Sequence, residues 1–257
     1  MLEKAMPWIT VLGLFLFWEA AVWAFEFPEF ILPAPGAILR SAWRWHSQIL
    51  EHSFYTLIET LVGFGVAIVG GVILGVIIGS STVAYAGLYP VLIGFNSIPK
   101  VAVVPILVIW FGIGAVPAII TAFLLAFFPI VVNVATGIAT VEPEMLDVLR
   151  ALGARHRDIV LKVGIPRSLP YFFASLKVAV TMAFVGSIVS ETIASNKGVG
   201  YLIIVASSRF DVPLVFAGLL VTAVMGIGMY AIAAVFERRM TGWATRGMLS
   251  AEQALPG

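Results

Sequence analysis

Residues 140–167 read TVEPEMLDVLRALGARHRDIVLKVGIPR, a charged stretch in an otherwise apolar chain. Nine of these 28 residues are charged, although the whole chain of 257 residues has only 29 Lys, Arg, Asp and Glu side chains. A segment of this composition is expected to face water between helices that cross a membrane. We interpret it as the docking surface of a membrane protein.

The composition of the whole chain agrees with that interpretation. Apolar residues make up 61% of the chain and charged residues 11%, with a mean hydropathy of +1.05, whereas soluble domains have about 45–50% apolar and about 25% charged residues. An all-α membrane protein is therefore predicted. A net charge of +1 gives no broad basic surface, which argues against a nucleic-acid partner. The absence of Cys and the scattered positions of the three His residues argue against a metal site.

The apolar runs predict six spans in one membrane domain over residues 1–257. A helix needs about 20 apolar residues to cross a hydrocarbon core of about 30 Å. Windows of this size lie near residues 7–25, 54–79, 85–112, 116–139, 168–193 and 213–236. The first run lacks a convincing small-residue cleavage site, so it is predicted to be a retained span rather than a signal peptide.

The Lys and Arg residues between the spans predict the orientation. If both termini are cytoplasmic, nine of these residues lie inside: Lys4, Arg150, Arg155, Arg157, Lys162, Arg167, Arg238, Arg239 and Arg246. Four lie outside: Arg40, Arg44, Lys197 and Arg209. This excess places both termini and residues 140–167 in the cytoplasm. The last dozen residues are expected to be a loose tail.

Glycine and proline positions predict local features of three segments. The repeat Gly71-x3-Gly75-x3-Gly79 predicts close packing of the second span on another helix. In the third span, Pro90, Pro99 and Pro105 predict a helix broken near residues 97–100, beside a permeation route. Residues 27–52 are predicted to form a turn and then an aromatic-rich helix at the outer membrane interface.

Charged and amide side chains within the spans are candidates for the lining of a translocation pathway, because charges at membrane depth need water or a partner. These candidates are Glu59, Asn96, Lys100, Lys177 and Glu191. The alternative is structural: the charged members pair with one another or extend to an interface.

The charged stretch itself predicts a short amphipathic helix. Pro143 suits its first turn and Gly153 its C-terminal cap. Apolar residues recur at helical spacing: Met145, Val148, Leu149 and Leu152. A second helical segment over 155–163 is predicted to end at Gly164 and Pro166. Such a helix pair fits the groove of another protein, with a hairpin lying on the membrane surface as the alternative. The docking candidates are Glu144, Asp147, Arg150, Ala151, Leu152, Gly153, Ala154 and Pro166.

This stretch resembles the cytoplasmic loop of permease subunits of bacterial ABC importers, whose pattern is Glu-Ala-Ala, three residues, Gly, nine residues, Ile-x-Leu-Pro. Asp147, Gly153, Val163, Ile165 and Pro166 match it, with Asp147 in place of Glu. Further segments resemble the branch that imports nitrate, sulfonate, taurine or bicarbonate: FILPAPGAIL, SIPKVAVVPILVIWFGIG and SETIASNKGVGYLI. This branch often has Arg where the chain has Glu59, which weighs against a simple inorganic or sulfonate anion.

The resemblance implies the fold of a type I importer permease with six transmembrane helices in the bacterial inner membrane. It also implies a homodimer, two cytoplasmic ATPase subunits docked on the loop, and a periplasmic binding protein that delivers a small solute, anionic or aromatic and heterocyclic. No cofactor is expected in this chain, and ATP and Mg are expected in the ATPase subunits. The chain lacks a Gly-x4-Gly-Lys-Ser/Thr phosphate loop, which agrees with this division.

Two other classes of protein are weaker interpretations. An intramembrane enzyme would need a nucleophile motif, a metal motif or paired membrane Asp residues, and the sequence has none of these. An ATP-independent secondary transporter or channel is suggested only by the broken third span.

Overall fold

The apolar runs form long helices because a helix satisfies its own backbone hydrogen bonds, which lipid cannot do. The computed structural model describes the backbone of residues 2–252 and the side chains of residues 6, 9–142 and 144–241. Regular structure in this part of the chain is helical: α1 Leu2–Ala24, α2 Pro35–Arg44, α3 His46–Gly79, α4 Thr82–Ser97, α5 Val104–Phe111, α6 Ala115–Ala139, α7 Pro143–Ala151, α8 His156–Ile159, α9 Ile165–Ala194, α10 Val199–Ser208 and α11 Val212–Glu252. A 3-10 turn at Lys100–Val103 precedes α5, and a π-helical turn at Val160–Gly164 joins α8 to α9.

The core forms where α6 packs against both α3 and α9. A Cβ atom built on Gly71, Gly75 or Gly79 of α3 would lie 2.7–2.8 Å from the nearest atom of α6, closer than real Cβ contacts allow. Fully buried alanines of α6 and α9 add to the close packing: Ala122, Ala126, Ala179 and Ala183. The predicted tight packing of the glycine-rich span is therefore confirmed.

The third apolar segment is broken as predicted. Helix α4 ends at Ser97, the chain resumes helical structure at Lys100, and the two parts are bent by 74°. Pro99 lies in the break and has no amide hydrogen with which to continue the helical hydrogen bonds. No side chain of α4 is buried, so this helix lies at the periphery of the chain.

The prediction that Gly164 and Pro166 end a separate second helix is wrong. Helix α8, the π-turn and α9 form one continuous helix from His156 to Ala194. In the π-turn the Ile165 amide donates to the Val160 carbonyl oxygen, five residues back. This wider turn changes the pairing of carbonyls just before Pro166, whose ring would clash with a regular α-helical turn. The fifth apolar helix therefore begins at His156 rather than near residue 168.

Helix lengths agree with several of the predicted spans. Among the described residues, four helices are long and apolar enough to cross a membrane: His46–Gly79, Ala115–Ala139, His156–Ala194 and Val212–Thr241. The bent pair is a fifth if it forms one span. The apolar part of α1, Ile9–Ala24, is shorter, so the first span and the count of six stay predictions.

Helix α11 runs on through the beginning of the predicted loose tail. Residues 246–252 are helical because α11 continues to Glu252. Residues 253–257 of the tail lie outside the described residues. The side chains of Lys4 and Arg246, which the charge count used, lie outside the described side chains.

The segment between the first two apolar runs contains the predicted turn and helix. Helix α2 has its proline in the first turn and buries Ile38 completely. It contributes to a second apolar cluster with α3, α10 and α11: Ile38, Ile49, Leu202, Ala206, Leu214 and Ala217. The position of α2 at the membrane interface stays a prediction. Helix α3 begins at His46, before the predicted start near residue 54.

Candidate functional site

Helix α7 forms where the sequence predicts it, and its C-terminus has a Schellman cap. Gly153 has φ +81°, a conformation that favours glycine. Its amide donates to the Arg150 carbonyl oxygen at 2.9 Å, and the Ala154 amide donates to the Leu149 carbonyl oxygen at 3.0 Å. This pair of bonds satisfies two carbonyls at the end of the helix. The C-terminal end of α7 is therefore capped by local backbone hydrogen bonds.

Most apolar side chains of α7 are exposed to solvent rather than packed against the rest of the chain. Val148 is 58% exposed and Leu152 is 79% exposed, and Met145 is exposed as well. Leu146 and Leu149 are half-buried and form the inner face. Leu146 was not among the predicted apolar residues, although it precedes Leu149 by one helical turn. An exposed apolar strip on a short helix beside water is characteristic of a contact surface for another protein.

Charged residues fix the loop at one place. The Arg167 guanidinium donates to both carboxylate oxygens of Glu142, at 2.7 and 3.3 Å, and so joins the start of α9 to the start of α7. This hydrogen bond and the positive charge hold the pKa of Glu142 below its usual value. Asp147 forms its ion pair with Arg150 at 3.0 Å, one turn along α7. Glu142 and Arg167 were not among the predicted docking residues.

A cavity of about 650 Å³ lies behind α7. It is lined by residues from the end of α3, the start of α4, the end of α6 and the α7–α8 region, among them Gly79, Tyr85, Thr136, Leu146 and His156. Helix α7 packs chiefly against α8. Helix α7 is therefore attached to the core by few contacts.

On the opposite end of α9, three successive backbone amides at the start of α10 are capped by distant side chains. Gly198 donates to His52 Nδ1 at 3.1 Å, Val199 donates to Thr56 Oγ1 at 2.9 Å, and Gly200 donates to Glu191 Oε2 at 2.8 Å. His52 and Thr56 lie on α3, and Glu191 lies on α9. His52 and Thr56 were not among the predicted site residues, although both lie within two turns of Glu59 on α3.

Two glycines make this capping possible. Gly198 has φ +96°, and a Cβ atom there would overlap the carboxyl group of Glu191. A Cβ atom on Gly200 would lie 2.5 Å from the Ile188 carbonyl oxygen. The spacing of Gly198 and Gly200 therefore permits the chain to turn tightly over Glu191. Among the predicted pathway residues, Glu191 has a clear structural role as a cap.

The structure brings Glu59 and Glu191 together. Both carboxyl groups are buried, with 3% and 1% of the residue exposed, and they interact directly. Next to them, Thr60 of α3 donates to the Ser187 hydroxyl of α9 at 3.0 Å. The structural alternative was that charged residues within the spans pair with one another. The pair formed here is unexpected because both of its members are acids.

The two lysines have other partners. Lys177 forms an ion pair with Glu237 Oε2 of α11 at 2.6 Å, and both side chains are largely buried. Lys100 donates to the carbonyl and to the side-chain Oδ1 of Asn96, at 2.9 and 2.6 Å. In an unbroken helix the backbone amide of residue 100 would bond the Asn96 carbonyl, so the lysine side chain compensates for the break. Lys177 and Lys100 thus lie apart from the acidic pair.

Comparisons with known proteins place this arrangement in one family. Residues 67–242 match the model for the binding-protein-dependent transport system inner membrane component. The riboflavin transport system permease protein RibX of Chloroflexus aurantiacus is 32% identical, over 91% of this chain and 88% of its own length. The formylaminopyrimidine transport permease protein ThiX of Halalkalibacterium halodurans is 29% identical, over 92% of this chain and 95% of its own length.

A solved structure supports the predicted fold. The inward-facing MetNI methionine ABC transporter has a chain that matches with a TM-score of 0.60 and 20% identity, over 77% of this chain and 97% of that one. The described helices therefore have the fold predicted for a type I importer permease. The chain belongs to the family of binding-protein-dependent inner membrane components and is a permease subunit of an ABC importer.

Proposed function

We propose that two copies of this chain enclose the solute pathway of an importer, and that two cytoplasmic ATPase subunits drive it by docking on α7. The observation that carries the proposal is the exposed apolar strip of α7, formed by Met145, Val148 and Leu152. A groove on each ATPase subunit would cover this strip, as grooves commonly bind amphipathic helices. Movement of the ATPase subunits then reaches the membrane helices through the loop.

ATP and Mg are assigned to the ATPase subunits. The chain has no phosphate-binding loop of the Gly-x4-Gly-Lys-Ser/Thr type. In this arrangement the permease subunit is non-catalytic, and its contribution is to receive the motion of its partner. The assignment also requires α7 and both termini to be cytoplasmic, which the excess of Lys and Arg supports.

The second copy of the chain is assigned to the side of α4 and α5. Helix α4 buries none of its side chains, and Lys100 and Asn96 form an exposed polar pair at the break. A lysine charge facing lipid is unfavourable. Facing a second copy across a water-filled space, the same pair would line the pathway. This arrangement supports the pathway role of the two residues.

The solute is assigned to small molecules, anionic or aromatic and heterocyclic, that a periplasmic binding protein delivers at the outer side. The two relatives named above carry names that refer to riboflavin and formylaminopyrimidine, both of which are heterocycles. An aromatic heterocycle is therefore the favoured solute class.

The docking proposal is tested with Leu152→Asp. Because the Leu152 side chain is 79% exposed, the permease should still fold, while a charge within the contact should weaken the ATPase complex at least about tenfold. Co-purification with the ATPase subunit encoded alongside and solute-stimulated ATP hydrolysis are the measurements. Arg157→Asp places the same side chain on an exposed position of α8 and should retain the complex. A Leu152→Asp complex with wild-type stoichiometry and activity contradicts the proposal.

A further inference from the structure

The contact between Glu59 and Glu191 lacks the partners that a buried acidic pair needs. Glu191 receives the Gly200 amide and interacts with the Thr56 hydroxyl. Among the described residues, Glu59 has no hydrogen-bond partner other than the Glu191 carboxyl group. Apart from the contact between the two carboxyl groups, Glu59 Oε2 and Glu191 Oε1 are buried without a hydrogen-bond partner, as is Oγ of Ser190, the residue before Glu191. Two acidic oxygens and a hydroxyl therefore remain unsatisfied in the core.

No basic side chain of the described residues compensates for these acids. Lys197 donates to Tyr55 Oη and lies over the Tyr55 ring at 4.0 Å. Lys177 is paired with Glu237. His52 accepts the Gly198 amide through Nδ1, and its ring contacts Tyr201 of α10. Helix α6, which packs on both α3 and α9, contains no titratable residue.

The energetics require a positive charge at this place. Two ionised carboxylates in contact repel each other strongly where the dielectric constant is low, and each loses its hydration. Carboxylate and hydroxyl oxygens are hard ligands that suit small hard cations. We propose that Glu59 and Glu191 form a binding site for one small cation, a proton or a sodium ion, shared between α3 and α9. This site is additional to the proposed solute pathway and does not depend on it.

Cation binding stabilises the outer end of the protein in this proposal. The bound charge would hold α3 against α9, and Glu191 also caps the first turn of α10. Loss of the cation would leave two repelling acids at the junction of three helices. The thermal stability of the protein should therefore depend on the concentration of the cation that occupies the site.

The test measures Tm of the detergent-purified importer complex at constant ionic strength. One series replaces sodium chloride with choline chloride, and the other raises the pH from about 5.5 to about 8.5. A sodium site predicts a fall of about 4 °C or more in choline at fixed pH, and a proton site predicts a similar fall at high pH in either salt. Glu59→Gln supplies a neutral amide that donates to Glu191 and should abolish the dependence.

A matched control and a second measurement keep the test decisive. Glu51→Gln removes an exposed acid from the same helix and should leave the dependence of Tm on sodium or pH as in wild type. It keeps His52, Tyr55 and Lys197, so a response that came from these groups would persist in both Glu51→Gln and Glu59→Gln. A Glu59→Gln variant with the same pH and sodium response as wild type overturns the proposal. If that variant does not fold, wild-type protein is treated with dicyclohexylcarbodiimide, which attacks protonated carboxyl groups in apolar surroundings. An adduct at Glu59 or Glu191 that sodium or alkaline pH prevents supports the site, and the absence of any adduct at these residues overturns it.

Discussion

The two ends of α9 carry polar segments that are held in opposite ways. At the C-terminal end, the first turn of α10 donates its amides to side chains of α3 and α9, including the buried Thr56 and Glu191. At the other end, α7 is closed by its own backbone and tied to α9 by the exposed pair of Arg167 and Glu142. One segment is part of the core, and the other folds locally.

This difference indicates that the stability of the fold and the coupling to a partner depend on opposite ends of α9. A change at the start of α10 disturbs residues that also hold the core helices together, so it should lower the free energy of unfolding. A change in the charged loop alters few buried contacts, so it should act mainly on the partner. The following substitutions test that separation, from the largest expected effect on stability to the smallest.

Gly198→Ala should have the largest effect. The new Cβ atom would overlap the Glu191 carboxyl group, and the backbone at φ +96° is unfavourable for alanine. We expect a loss of about 3 kcal/mol in the free energy of unfolding, measured as a lower Tm of the purified protein. Gly65→Ala is the control, because no atom lies within 4 Å of a Cβ atom at that position of α3. Equal stability of the two variants would contradict the conclusion that the segment at the start of α10 is part of the core.

Thr56→Val should have an intermediate effect. Valine keeps the shape of the side chain but leaves the Val199 amide without its acceptor. We expect a loss of about 1–2 kcal/mol and faster hydrogen exchange at the first amides of α10. Thr222→Val removes a hydroxyl that bonds only a carbonyl of its own helix and should change neither quantity. Unaltered exchange in α10 after Thr56→Val would show that the cap does not hold this segment.

Arg167→Ala should have the smallest effect on Tm and a clear effect on coupling. The pair with Glu142 is exposed, so its loss should leave Tm close to wild type, while solute-stimulated ATP hydrolysis falls several-fold because α7 loses its tie to α9. Lys162→Ala, which breaks an exposed pair with Asp158 in the continuous helix, should change neither. A large drop in Tm for Arg167→Ala would remove the distinction between the two ends.

The same ion pair predicts a pH effect of defined sign. Because the pKa of Glu142 is lowered in the folded state, the pair contributes fully above the unfolded pKa of glutamate. Its contribution is lost as the pH falls through the lowered value. Arg167→Ala should remove this acid-sensitive part of coupling, which an ATP-hydrolysis profile against pH would detect.

The features that the sequence predicted correctly depend on neighbouring residues. The break after Ser97, the cap at Gly153 and the glycine face of α3 each follow from backbone rules that act over a few positions. The contact of Glu59 with Glu191 depends on how α3 and α9 are aligned across 132 residues, as does the pair of Lys177 with Glu237 across 60. Such contacts are set by packing of whole helices, which charge and spacing alone do not specify.

The failure at Pro166 has a different origin. Proline usually marks a helix boundary, but the π-turn at Val160–Gly164 accepts it by changing the hydrogen-bond pairing of one turn. The π-turn has no clear signature in the sequence, because its residues, VLKVG, are compatible with an ordinary helix. The prediction therefore divided one helix into two.

The continuous helix from His156 to Ala194 has a mechanical consequence. At 39 residues and about 1.5 Å per residue, it is about 58 Å long. Its Ile165–Ala194 part packs against α6, and Gly137 and Gly186 permit close contact near opposite ends of that interface. A continuous helix supported in this way gives a direct structural connection between the charged loop at one end and Glu191 at the other.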